Sequence, residues 1–297
     1  MNPRERGFLL LTSQLGDPDR KVLSPAQLRS LSQAAANAGI ASEDRDLEAR
    51  DLVALGCRPE LAQRIVELLS GEDQLDYYLS KAKRAGCTPI TRVTPGYPPL
   101  LRKRLGTEAP GCFWVKGDLS LLDRPGISLV GSRDLRPENR AFAREVGRQA
   151  ALQGLVLISG NARGADRTAQ DACLEAGGRV ISIVADELTR QEPREGMLYL
   201  SEDGFDEAFS AQRALKRNHS IHALGRCVLI AQATLQKGGT WDGASKNLRF
   251  GWSPVCVYDD GSDAAKVLTQ MGAQPIDIDA LQDLPQLAKN TRTFFDP

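Results

Sequence analysis

The sequence predicts an α/β protein built on a doubly wound, mostly parallel sheet, with a small helical domain ahead of it. Three observations carry this. From Gly126 onward, short apolar runs alternate with helical patterns. Several of those runs end in glycine-bearing turns. Residues 1–90 show helical spacing and little strand pattern. Strands that alternate with helices make βαβ units, which cover a parallel sheet on both faces.

Within residues 1–90, Ser24 and Pro25 suit a helix N-cap and first position, and Gly39 a stop. Helical patterns continue through "DLEARDLVALG", "PELAQRIVELLSG" and "EDQLDYYLSKAKRAG". "LGCRPELAQRIVEL" has the outline of a helix-hairpin-helix, but Arg58 stands where its second glycine belongs, so plain helix packing is the reading. Residues 91–125 are a linker rich in proline and glycine, followed by an entrance strand, "CFWVKG". Tyr97 and Leu100 or Leu101 would pack it onto the next domain.

Residues 126–280 hold the runs "ISLVGS", "LVLISG", "RVISIVA", "MLYLS", "CVLIAQA" and "PVCVYD". Pro137 and Gly154 bracket the helix between the first two. Right-handed crossovers then make a Rossmann-like sheet the natural solution. Residues 281–297 read as a short helix and a tail.

A chain of 297 residues can bury a sizeable core, and two domains are expected. Its formal net charge is zero, so there is no global basic footprint, although a local patch depends on placement. The six cysteines are scattered without a C-x-x-C pair, which suits buried thiols better than disulfides or zinc. The apolar run Gly7–Leu11 is too short for a signal-peptide core or a membrane helix. A cytoplasmic protein without membrane contact is expected.

Parallel sheets bind ligands at the carboxyl ends of their strands. Three glycine turns fall there: Gly131-Ser132-Arg133; Ser159 and Gly160 through Arg163, Gly164 and Asp166; and Lys237-Gly238-Gly239-Thr240. Glycine lets backbone approach a ligand, and a helix N-terminus offers unpaired N–H groups to an anion. Arg133, Arg163 and Lys237 would add full charges. One such turn alone has a purely geometric explanation. Three in one sheet, each with a cation, point to an anion site. Neither G-x-G-x-x-G at the first turn nor a Walker motif is present.

Asp166 is read first as a helix cap or first-turn acid, and second as a sugar ligand or base. Ser132 and Ser159 have no His/Asp partner pattern, so no catalytic residue is assigned. His219 and His222 are three apart and lack metal-ligand spacing; they are read as helix-surface residues, and no metal or cofactor is expected. "RALKRNHSIHALGR" carries Arg213, Lys216, Arg217 and Arg226, either a solvated face or a phosphate-contacting one, with Asn218 as an added donor and acceptor. Trp241 and Trp252 are read as packing before base stacking.

Together, "YPPLL", "ISLVGSR", "LISGNARGADRTAQDACLEAGG", "YLSED", "KRNHSIHAL", "KGGTWDGA" and "LTQMGAQPI" resemble, in order and spacing, the DNA-processing protein A family, also called DprA or Smf. The resemblance runs from about Tyr97 to Ala273. It implies a Rossmann-like domain that binds single-stranded DNA, usually as a homodimer, protects strands and helps load a RecA-type recombinase. By motif position it implies a phosphate pocket of Gly131, Ser132, Arg133, Ser159, Gly160, Gly164, Arg217, Asn218 and Lys237. Gln170 replaces the usual histidine, Asn161 and Arg163 alter the second loop, "KGGTW" replaces the S-G-[ST] form, and no winged helix is expected after the Rossmann-like domain. A divergent relative in repair or phage defence is compatible with those departures. The competing reading is a nucleotide-binding protein or a LOG-like nucleotide phosphoribohydrolase. Its loop would be followed by a catalytic glutamate, whereas Asp242 is the nearest acid here.

Overall fold

The computed structural model describes residues 1–38 and 47–289. The stop expected at Gly39 and the tail expected over 290–297 lie outside the described residues.

Among the described residues five helices come first: α1 (Pro3–Thr12), α2 (Pro25–Asn37), α3 (Ala49–Ala54), α4 (Pro59–Leu69) and α5 (Glu72–Arg84). Ser24 caps α2 as its sequence suggests, accepting from the Gln27 N–H at 3.2 Å while Gln27 reaches back to the Ser24 N–H. Strand β1 (Thr88–Thr91), helix α6 (Pro99–Leu105) and strand β2 (Cys112–Gly117) follow. The six apolar runs become β3 (Gly126–Val130), β4 (Val156–Ser159), β5 (Arg179–Ile183), β6 (Met197–Ser201), β7 (Val228–Ile230) and β8 (Val255–Tyr258). Helices α7 (Pro137–Leu152), α8 (Ala165–Glu175), α9 (Ala211–Leu224), α10 (Gly238–Phe250) and α11 (Asp263–Gln270) alternate with them, and β9 (Gln274–Ile276) and α12 (Leu284–Leu287) come last among the described residues.

Among the described residues, nine strands form one sheet in the order β1-β2-β6-β5-β4-β3-β7-β8-β9. β1–β2 and β2–β6 are antiparallel, and the other neighbours are parallel. The two edge strands are short, and each carries a proline, Pro89 and Pro275. Neither edge strand was read from the sequence, because three or four residues interrupted by proline give no clear period.

Alternate residues of the strands enter opposite cores. One core joins Leu157, Val180 and Leu229 to Phe142 and Val146 of α7 and Cys173 of α8. It also takes in Leu9 and Leu10 of α1 and Leu75 and Tyr78 of α5. Tyr78 meets Trp114 edge-on at 5.1 Å between ring centres and lies 4.8 Å from Phe205. Its hydroxyl donates to Asp206 at 2.6 Å. The other core joins Ile158, Ile181 and Ile230 to Tyr97, Leu101, Ile221, Leu224 and Leu268. Of the two leucines offered as anchors for the linker, Leu101 is buried and Leu100 is exposed. No helix among the described residues is long and apolar enough to cross a membrane.

Candidate functional site

The chain leaves β3 for α7 on one face of the sheet and leaves the adjacent β7 for α10 on the other. Parallel sheets open a crevice where neighbouring connections diverge in this way. Here it is a cavity of about 510 Å³, walled by the β3–α7 turn, α9 and the start of α10.

Of the residues selected from sequence, Gly131, Ser132, Arg133, Asp166, Arg217, Asn218, Lys237, Gly238, Gly239 and Thr240 line this cavity. Ser159, Gly160, Arg163 and Gly164 do not. Ser159 is fully buried, and its hydroxyl accepts from the Gln170 amide at 2.6 Å. Arg163 points outward and pairs with Asp134 at 2.7 Å, both well exposed. Such a pair contributes little to stability.

Arg217 is the unusual member. Only 7% of it is exposed, yet its Nε and Nη1 have no hydrogen-bond partner among the described residues. Burial lowers its pKa, against the pull of Asp166 and Glu202. The guanidinium lies against Gly160, where an added Cβ would overlap Nη1. Gly160 therefore serves the cavity from behind its wall. Asp166 accepts from the Gly160 and Ala162 N–H groups, each at 3.1 Å, and so shapes the β4–α8 loop. Burial raises its pKa, opposed by Arg217.

Arg133 is held through its turn. Gln232, at the end of β7, accepts from the Arg136 N–H and donates to the Asp134 carbonyl, both at 3.0 Å. Its own carbonyl accepts from the Ser132 N–H at 3.0 Å. Gly164, at φ +87°, passes so close that a Cβ would collide with the Ser132 and Arg133 carbonyls. The first turn of α10 has no side-chain cap, because Lys237 occupies that position. Asn218 donates to the Gly239 carbonyl at 3.1 Å and ties α10 to α9.

The basic segment does not act as one face. Arg213 pairs with Asp203 at 2.9 Å and donates to the Ala185, Glu207 and Ala208 carbonyls. Lys216 donates to Asp203 at 3.0 Å, and Arg226 is exposed beyond the far end of α9. The histidines are not surface residues either: His222 is fully buried, and His219 is half-buried against Trp252. Helix α9 is covered by the sheet on one side and α10 on another, so its 219/222 face is enclosed. Sequence reasoning missed Gln232, Thr234 and the exposed Phe209 and Leu215 at the cavity. Leu215 and Gln232 lie in the segments "RALKRNHSIHALGR" and "CVLIAQA", but nothing in their residue types marks them as cavity-lining.

The fold and the cavity define a Rossmann-like α/β protein whose switch-point crevice sets three cations against one carboxylate. The family model for DNA recombination-mediator protein A matches residues 88–284, and the chain belongs to that family. DNA processing protein DprA of Streptococcus pneumoniae is 31% identical over 180 residues, which are 56% of this chain and 64% of that protein. Protein Smf of Escherichia coli is 30% identical over 153 residues, 48% of this chain and 40% of that protein. The chain thus spans less than two-thirds of the length of these relatives. The X-ray structure of the Streptococcus pneumoniae protein matches with a TM-score of 0.65 at 25% identity, covering 86% of this chain and 95% of that one. DNA processing protein A from Helicobacter pylori matches in fold with a TM-score of 0.57 at 24% identity, covering 69% and 97%.

Proposed function

We propose that the cavity binds the phosphate backbone of single-stranded DNA and that the chain acts as a strand-binding protein of DprA/Smf type. The observation that carries this is Arg217, a cavity-lining residue whose buried guanidinium has two nitrogens, Nε and Nη1, without a protein partner. A buried charge left unpaired is costly, so this position favours a bound anion. Arg133, Lys237 and the uncapped start of α10 would share the load, with Gly131, Ser132, Asn218, Gly238, Gly239 and Thr240 lining the path. Asp166 would order the adjoining loop, and Gly160 and Gly164 would give the backbone clearance. The Helicobacter pylori relative is described by its single-stranded DNA binding mode, which supports the same reading here. Protection of strands, loading of a RecA-type recombinase, a homodimeric state and a cytoplasmic setting belong to this proposal. The phosphoribohydrolase reading lacks a glutamate after the glycine loop, where Asp242 is the nearest acid.

A fluorescence-anisotropy titration with a labelled single-stranded oligonucleotide tests the proposal. Three phosphate contacts would give a slope of log Kobs against log salt of about −2, from roughly −0.7 per contact. Arg133→Ala and Arg217→Ala should each weaken binding in folded protein. No binding at low salt, or full affinity in both variants, would overturn it.

A further inference from the structure

The geometry points to a more specific ligand: a terminal phosphate monoester on a nucleoside, presented by the end of a single strand or by a free nucleotide. This rests on reading the cavity as a phosphate site. The first reason is depth. Arg217, Asp166 and Ile221 are buried, whereas Arg133, Lys237 and Phe209, which share the same cavity, are exposed. The buried residues form a floor and the exposed ones a rim. A phosphodiester on that floor would need the strand to enter and leave past the same rim, side by side with itself. A strand end needs only one passage.

The second reason is the donor itself: the buried Arg217 guanidinium leaves Nε and Nη1 without a protein partner, and a doubly charged phosphate end offsets a buried cation better than a singly charged diester does. The third reason is charge. The cavity sets three cations against one carboxylate, a surplus of two. A phosphate monoester carries about −1.5 to −2 at pH 7, whereas each diester carries a single charge. Leu215 and Phe209, apolar and exposed, leave surface for the attached sugar and base.

A competition experiment with the full chain decides this. The tracer is an internally labelled linear oligothymidylate carrying a 5′-phosphate. The competitors are the same oligomer with a 5′-phosphate, with a 3′-phosphate, with hydroxyls at both ends, and ligated into a circle, together with dTMP and thymidine. The expected result is that one phosphorylated form competes at about tenfold lower concentration than the circle. dTMP should compete and thymidine should not. Equal competition by the circle, the hydroxyl-ended and the phosphorylated forms overturns the inference and leaves single-strand binding intact. Competition by dTMP with no binding of any DNA does the reverse: the terminal phosphate stands and the strand reading falls. Arg217→Lys keeps the charge and removes the planar guanidinium, so it should reduce the preference for a phosphorylated end to about twofold or less. Should that variant fail to fold, the wild-type competition still separates a terminal phosphate from an internal one.

Discussion

Gly160 and Arg217 work as one device. The guanidinium can lie at the back of the cavity only because nothing projects from the Gly160 Cα. A methyl group there has to push the guanidinium away, at about 1–3 kcal/mol for overpacking a tight site. Gly160→Ala should therefore weaken oligonucleotide binding by about tenfold or more, at a modest loss in melting temperature. Anisotropy and thermal unfolding of the same sample would show it, and unchanged affinity would count against the device. At this scale the sequence was partly legible. The glycine-bearing turns pointed to the end of the sheet where the cavity lies, and Arg217 stood in a basic segment. Two things were hidden. Asp203 takes up Arg213 and Lys216, a pairing between segments that local spacing does not reveal. Gln170 claims the Ser159 hydroxyl inside the core, so that serine never faces the cavity.

Helix α9 is the element that unites the cavity and the core. Its first half carries Arg217, and its second half carries His222 into a site enclosed by the sheet and α10. The His222 Nδ1 lies 3.1 Å from the Asn247 amide, which donates to it, and the ring sits against Gly243. Burial pushes the His222 pKa down to about 3. The unfolded chain binds a proton in the ordinary histidine range, near 6.5, that the folded chain refuses. Stability linked to His222 is thus fully present above that range and is lost as pH falls toward 3. Between pH 7 and pH 5 the loss is about 2 kcal/mol. Urea unfolding at those two pH values should show a steeper decline for wild type than for His222→Gln. Parallel curves would contradict the assignment. The apolar runs announced β3 to β8 because none is interrupted by proline, even where the strand itself is only three or four residues long. Local spacing could not tell that α9 is covered on more than one side, which is why the histidines were placed on the surface.

On the scale of the whole molecule, placement matters more than totals. The chain is formally neutral, yet its switch-point cavity carries a surplus of positive charge. The helical region and the sheet are also joined more closely than composition suggests. Leu9, Leu10, Leu75 and Tyr78 complete the core around Trp114 and Phe205. Each such side chain contributes about 1.5–3 kcal/mol by burial. A chain starting at Cys87 should therefore melt at least about 10 °C lower and self-associate in sedimentation velocity. A monomer with an unchanged transition would show that the helices are dispensable to the sheet.

The prolines at the two ends of the sheet have a consequence for the company this protein keeps. A bare outer strand usually invites a stranger to zip on, copy after copy, into fibres. Here each outermost strand is only three or four residues long and has a residue with no N–H to give. Strand-by-strand growth is blunted on both flanks of the described sheet.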